Sequence, residues 1–274
     1  MTKGVTSLSV FLSFILVFIL CISCFSQTED IHQAEKKPSN PAQFNLGTDL
    51  VSRYIWRGKD FGNSPAIQPN VAFSVAGFKV GVWGSYGFVP YTIQVNDTTS
   101  VNMGNYAEFD PFVSYTFKGF TLTVTDYYVI NGRTPNSAGY FNYKNSTTGH
   151  TYEVSLAWAG PDKFPLQLFA GTLVYGADKG KDSLGTYGLG AKNNFSTYFE
   201  ASYPFTVKGI GVKPFIGGIP FGSSWYGPYG GVVNLGLTVS KTIQFTKEFG
   251  LPLYTSIVLN PQSQSVFFVV GLTL

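Results

Sequence analysis

Nine charged side chains each fall on the polar side of a stretch in which polar and apolar residues alternate: Asp49, Arg53, Arg57, Lys79, Glu108, Asp110, Glu153, Glu200 and Lys213. If a closed sheet turns these positions inward, Arg53, Arg57 and Lys79 face Glu108, Asp110, Glu153 and Glu200 across an interior. Opposed basic and acidic walls make a transverse field that orients small polar solutes at a constriction, as rings of charge do in channels. The plainer alternative is that these groups pair across the interior and close it, because an unpaired charge in a tight lumen is costly.

Other chemistry has little to draw on. Beyond residue 43 the one histidine is His150, two residues before Tyr152 and three before Glu153. Hydrolysis needs a histidine beside a serine or carboxylate, and nothing in this spacing assigns one, so no enzyme activity is expected. The stretch Gly185 to Lys192, GTYGLGAK, superficially resembles a phosphate loop, but Ala191 separates the last glycine from the lysine and no strand-to-helix context surrounds it. No His/Cys/Asp cluster has metal-ligand spacing, and no cofactor or metal is expected.

The elements that must position the nine charges read as strands. Between Phe44 and Arg57 one set of alternate positions is Phe44, Leu46, Leu50, Tyr54 and Trp56, and the other is Asn45, Asp49, Arg53 and Arg57. A strand sends successive side chains to opposite faces, so this one is greasy on one side and charged on the other. The same period continues near Ala66 to Ala76, Phe78 to Val89, Tyr106 to Phe117, Phe120 to Ile130 and Thr151 to Ala159. It resumes near Leu166 to Tyr175, Asn194 to Phe205, Ile210 to Ile219, Val232 to Phe245, Leu251 to Asn260 and Ser265 to Leu274. That predicts about twelve strands, an even number as bacterial outer-membrane barrels use. Asp126 falls on the apolar side of its strand unless a bulge shifts it, and Val233 falls on the apolar side with Leu235, Leu237 and Val239.

Connections decide between a sandwich and a barrel. Ala76-Gly77, Lys118-Gly119, Gly160 to Pro165, Thr206 to Gly209 and Thr246 to Gly250 are short, and several place Gly before Phe, Ile or Leu. Glycine supplies the positive φ of a tight hairpin. Gly58 to Pro65, Pro90 to Asn105, Asn131 to His150, Gly176 to Asn193, Pro220 to Gly231 and Pro261 to Gln264 are longer and polar. Short and long alternate throughout, which is the pattern of periplasmic turns and extracellular loops; a Greek-key sandwich has no reason to segregate loop lengths this way. The expected fold is therefore all-β: an antiparallel up-and-down transmembrane β-barrel.

Composition agrees. Charged residues make up 12% of the 274, against about 25% in ordinary soluble domains, while aromatics reach 17% and glycines number 31. A net charge of +3 without a basic run gives nucleic acid no surface. Lys3 followed by the apolar run Val10 to Leu20, with Ser23 and Ser26 after it, reads as a secretory signal peptide, residues 1–26. Cleavage after Ser26 removes Cys21 and Cys24; the rival reading lipidates Cys24. Residues 27–43 are polar and aperiodic, a flexible periplasmic lead-in, and the barrel occupies 44–274. The last strand ends on an apolar residue, similar to the assembly signal of outer-membrane proteins, with Leu274 where Phe is usual. The partners expected are outer-membrane lipid, the barrel assembly machinery and small polar solutes.

Three blocks carry a family resemblance: Val51-Ser52-Arg53-Tyr54-Ile55-Trp56-Arg57-Gly58, then Ser64-Pro65-Ala66-Ile67-Gln68-Pro69, then Gly81-Val82-Trp83-Gly84-Ser85. They resemble the opening of the TorF-type, or Gcw-type, porin family of bacterial outer-membrane β-barrel proteins, with Arg53 where that family often shows Asp. The resemblance implies an outer-membrane porin and names no substrate. The expected function is passive diffusion of small hydrophilic solutes. The alternative is a non-conducting barrel whose loops mediate binding or adhesion; Ala138 to Tyr143 and Ser224 to Tyr229 are aromatic-rich enough to stack on a partner or to form an interfacial girdle.

Overall fold

The computed structural model describes residues 42–96, 98–130, 139–186, 188, 190 and 192–274. The expected signal peptide, Cys24 and all of the expected lead-in but residues 42 and 43 lie outside the described residues, as does part of the segment between Asn131 and His150. Every regular element among the described residues is a strand: β1 (Gln43–Val51), β2 (Tyr54–Trp56), β3 (Lys59–Phe61), β4 (Ala66–Val75), β5 (Phe78–Asn96), β6 (Thr99–Phe117), β7 (Phe120–Tyr128) and β8 (His150–Ala159). The second half adds β9 (Gln167–Gly176), β10 (Thr197–Ser202), β11 (Phe205–Val207), β12 (Ile210–Ile219), β13 (Gly231–Gln244), β14 (Gly250–Asn260) and β15 (Ser265–Thr273).

Antiparallel pairing runs from β4 through β9 to β10, then from β12 to β15, and β1 joins β4 on one side and β15 on the other. β10 and β11 are one stave. Ser202 pairs with Phe215 and Phe205 with Val212 in a single register; between them Pro204, with no N–H to give, interrupts the ladder. The result is a closed barrel of twelve staves. Reciprocal bonds complete the seam: Thr48 N donates to Leu274 O and Leu274 N to Thr48 O, each at 2.9 Å.

Short connections are built as the sequence predicts. Ala76-Gly77, Lys118-Gly119 and Lys208-Gly209 each carry positive φ at both residues, the type I′ geometry whose twist matches the flanking strands. Apolar residues face outward along the wall: Phe44 is 66% exposed, Val266 68% and Phe268 63%. Polar residues such as Gln68, Ser114, Thr123, Ser155 and Ser256 are buried inside. A soluble protein would reverse that order; lipid is the solvent that suits it.

Two expectations are corrected, and one open alternative is decided. The first strand does not run to Arg57: it leaves the wall after Val51, and Tyr54 to Phe61 form a separate two-stranded sheet inside the barrel. Tyr54 is consequently buried rather than lipid-facing. Val233 also points inward and is fully buried, because the register shifts at Gly217/Gly218 and a bulge in β13 inserts it. Asp126, conversely, keeps its outward position with no bulge in β7; it is made tolerable there by a partner, described below.

Candidate functional site

The inward sheet is a hairpin. Trp56 pairs with Lys59 across the two-residue turn Arg57-Gly58, whose φ values of 49° and 79° repeat the type I′ geometry of the rim turns. It reaches the wall on several sides. A Cβ added to Gly58 would lie 2.0 Å from the Val233 carbonyl oxygen on β13, and one added to Gly62 would lie 2.7 Å from Tyr106 Cβ on β6. Asn260 on β14 donates from Nδ2 to Gly58 O at 3.1 Å, and Lys59 Nζ donates to Ser224 O at 3.3 Å. The hairpin thus crosses the lumen instead of standing outside as the long loop expected over Gly58 to Pro65.

Arg57 at the hairpin's tip carries the strongest contact. Its Nη1 donates to Glu153 Oε2 at 2.5 Å and its Nη2 to Glu153 Oε1 at 2.9 Å, a bidentate pair in which both residues are buried. Nη1 also donates to Tyr226 OH at 2.5 Å, and Tyr127 OH donates to Glu153 Oε1 at 3.3 Å. The guanidinium lies 4.3 Å from the Trp56 ring centre, 4.9 Å from Phe169 and 4.8 Å from Tyr198. Charge pairing and a ring of π faces together offset the cost of taking this cation out of water. Tyr198, Ile219, Tyr226 and Val233 form a small apolar cluster, with Trp56, Phe169 and Trp225 packed on it. Backbone does not tie the hairpin to the wall in a ladder; side chains do.

Of the nine charges, the structure brings Arg57 and Glu153 together across the lumen. Arg53 pairs within the hairpin, its Nη1 2.8 Å from Asp60 Oδ2. Glu108 accepts from Tyr106 OH at 2.9 Å, Asp110 from the Tyr128 amide at 3.2 Å, and Asp49 from Thr273 Oγ1 at 2.7 Å. Glu200 accepts from Tyr198 OH and, at 3.0 Å, from Asn234 Nδ2. Lys213 lines the lumen, and alternation along β5 places Lys79 on the inner face. Asp60, Trp56, Tyr127, Tyr198 and Tyr226 complete the arrangement and are not among the nine charges, although Tyr226 lies in the aromatic-rich stretch Ser224 to Tyr229. One signal pointed to them: Arg57-Gly58 repeats the X-Gly dipeptide of the rim turns between two short alternating runs.

Below the hairpin, toward the end of the barrel with short turns, lies a chamber of about 620 Å³. Its ceiling is hairpin, with Tyr54, Trp56 and Arg57; its walls carry Gln68, Asn70, Gln167, Asn234 and Ser256; its mouth is at Gly160, Thr206 and Gly211.

At the opposite end the outer wall has its own polar pair. His150 Nδ1 lies 2.9 Å from both carboxylate oxygens of Asp126, and His150 Nε2 lies 2.5 Å from Tyr140 O. Both side chains project outward by strand alternation, and Tyr128, Tyr140 and Tyr143 pack around the imidazole. The His150 expected at a loop–strand junction therefore serves as partner for the misplaced aspartate, beneath a flap of aromatic residues. The partners of its ring nitrogens among the described residues are the Asp126 carboxylate and the Tyr140 carbonyl. A second latch holds the loop after β9: Asp178 accepts from the Ser196 amide and hydroxyl at 2.8 and 2.6 Å. Burial pushes the Asp178 carboxyl up and the neighbouring Lys179 ammonium down from their ordinary values.

No family model matches the chain, and no curated protein matches it, so the resemblance to the TorF-type family rests on the opening blocks alone. Solved structures that match include "Salmonella typhi OmpF complex with Daunomycin", at 9% identity and a TM-score of 0.35, covering 84% of this chain and 96% of that chain. The ring of pairings described above defines the barrel without help from so distant a likeness.

Proposed function

We propose that the protein is a porin-like channel of the bacterial outer membrane, exported by its signal peptide, which passes small hydrophilic solutes under control of the inward hairpin. The observation that carries this reading is a polar lumen inside an apolar wall, crossed by a side-chain-docked hairpin and opening below it into a chamber. The short turns then face the periplasm and the long loops the exterior, as in other outer-membrane barrels. The opening-block resemblance to the TorF-type porins supports the same reading. Of the nine charges, Arg57 and Glu153 serve as a fastener of the hairpin rather than as opposed walls, and Arg53 pairs with Asp60 within the hairpin.

The hairpin's contacts on β6, β8, β13 and β14 also favour a second reading, a barrel that does not conduct and acts through its loops. Planar-bilayer recording separates the two. The channel reading expects conductance from the refolded protein, raised when residues 52–65 are replaced by a short Gly/Ser linker. Silence from both proteins, each shown to be folded by heat-modifiable gel mobility, overturns it in favour of the second.

A further inference from the structure

The chamber beneath the hairpin has the make-up of a binding site, and the channel reading assigns it no ligand. Its volume of about 620 Å³ falls within the ~300–1,000 Å³ usual for small-molecule sites. A ligand class follows from what lines it. The two arginines at the chamber are already matched, Arg57 by Glu153 and Arg53 by Asp60, and Asp49 is held by Thr273. The two ion pairs offset the arginines' share of the field that would otherwise draw an ion, and the other charged groups on the lining, Asp49, Asp110 and Lys213, are of mixed sign. What remains on the walls is dominated by neutral groups that both donate and accept: Gln68, Asn70, Gln167, Asn234 and Ser256. Trp83 and Phe215 add flat apolar faces among them.

A narrower recess of about 170 Å³ continues the chamber toward Arg57 and Asn234. Each of these residues keeps one polar atom without a protein partner, a donor at Arg57 Nε and an acceptor at Asn234 Oδ1. The orientation of the Asn234 amide is set by chemistry: its nitrogen must face Glu200, which accepts, so its oxygen is left over. Leaving such atoms unpaired costs about 1–3 kcal/mol each. A hydroxyl can satisfy either atom, accepting from Nε or donating to Oδ1. A carboxylate has no proton to donate to Oδ1, and an ammonium cannot accept from Nε.

We propose that this chamber binds an uncharged, polyhydroxylated solute of about monosaccharide size, with Asn234 and Arg57 at its deep end and Gln68 on its wall. The proposal rests on the outer-membrane reading only for the compartment the chamber faces, and not on conduction. The test is saturation-transfer difference NMR on the refolded full-length barrel in detergent, with D-glucose, D-gluconate and D-glucosamine as probes. Glucose should receive saturation and bind at least about tenfold more tightly than either charged analogue, a difference of ~1.4 kcal/mol. Asn234→Leu and, separately, Gln68→Leu should each weaken glucose about tenfold while heat-modifiable mobility is unchanged. Because Asn234 also contacts Tyr198 and Glu200, Gln68→Leu decides the matter if the first variant misfolds. The proposal is overturned by no transfer to glucose from the wild type, by charged analogues binding as tightly, or by equal transfer in both folded variants. Binding without conductance sinks the channel reading alone; conductance without binding sinks this proposal alone.

Discussion

Adding one methyl group to Gly58 tests the hairpin's role directly. Gly58 sits at φ +79°, and its Cβ would lie 2.0 Å from the Val233 oxygen and 3.0 Å from the Val233 carbonyl carbon. A left-handed conformation costs a non-glycine residue roughly 1–2 kcal/mol. The collision adds to that, since a backbone carbonyl in a sheet cannot swing aside as the end of a long side chain can. In Gly58→Ala the tip must therefore lift from β13, loosening the Asn260 bond to Gly58 O and drawing the adjacent Arg57 from Glu153. Lifting the tip relieves the collision, and ~1–2 kcal/mol of relief multiplies the undocked-to-docked ratio by about 5–30. Gly209→Ala is the control: its φ is +76° in the same kind of turn, but nothing lies within 4 Å of the added Cβ. Two assays report the outcome, open probability in planar bilayers and trypsin cleavage at Arg57 and Lys59 in the folded barrel. Gly58→Ala should raise both about fivefold or more, and Gly209→Ala should match the wild type. A Gly58→Ala protein with wild-type conductance and an uncut hairpin would refute the reasoning, because the docked geometry described here could not then hold.

Three further outcomes follow from the same contacts. Glu153→Leu leaves the Arg57 guanidinium buried without its carboxylate, so it should weaken docking by ~3–5 kcal/mol, while Arg57→Leu with Glu153→Leu should recover most of that loss; trypsin cleavage at Lys59 reads the cycle. On the outer wall, His150→Leu strands Asp126 without its ring partner and should lower the temperature of heat-modifiable unfolding, by ~1–3 kcal/mol of stability. Adding Asp126→Leu should restore it, since two apolar side chains suit a lipid-facing wall. Asp178→Ala removes both acceptors of the Ser196 bonds and should speed proteolysis between Asp178 and Ser196, with the barrel otherwise intact.

The barrel was legible because its two signals are local. Period-two alternation needs a few consecutive residues, and turns such as Lys118-Gly119 and Lys208-Gly209 declare themselves by a dipeptide. What was not legible depended on contacts distant in sequence. Tyr54 and Trp56 continue the alternation of Phe44 and Leu46, and nothing within that stretch says the chain turns into the lumen; Glu153, 96 positions on, and Tyr226, 169 positions on, are what hold it there. Val233 was misplaced for a similar reason, since a bulge is a property of two strands together. Asp126 broke the outward pattern openly, but its remedy, a histidine 24 positions later, emerges only when β7 and β8 pair. Alternation puts Glu108, Asp110, Glu153 and Glu200 on the inner face of the wall, while Arg53 and Arg57 enter the lumen with the hairpin. Their partners were not legible, because strand order alone does not say which hairpin crosses to which wall.

The seam between β1 and β15 has a consequence for the order in which the barrel is made. Most staves pair with a neighbour that follows closely in the chain, but the seam joins Asp49 to Thr273, 224 positions apart. Its ladder is short, with Asp49, Leu50 and Val51 against Thr273, Leu272 and Gly271, whereas β1 pairs with β4 from Gln43 to Val51. Loop-closure entropy delays such a contact until the intervening staves have shortened the path. Assembly therefore proceeds as a growing curved sheet with two open edges, β1 and the most recently added strand, and zips shut last. Until then both edges can recruit a foreign strand, which makes the unsealed ribbon, rather than the finished cylinder, the form exposed to mispairing.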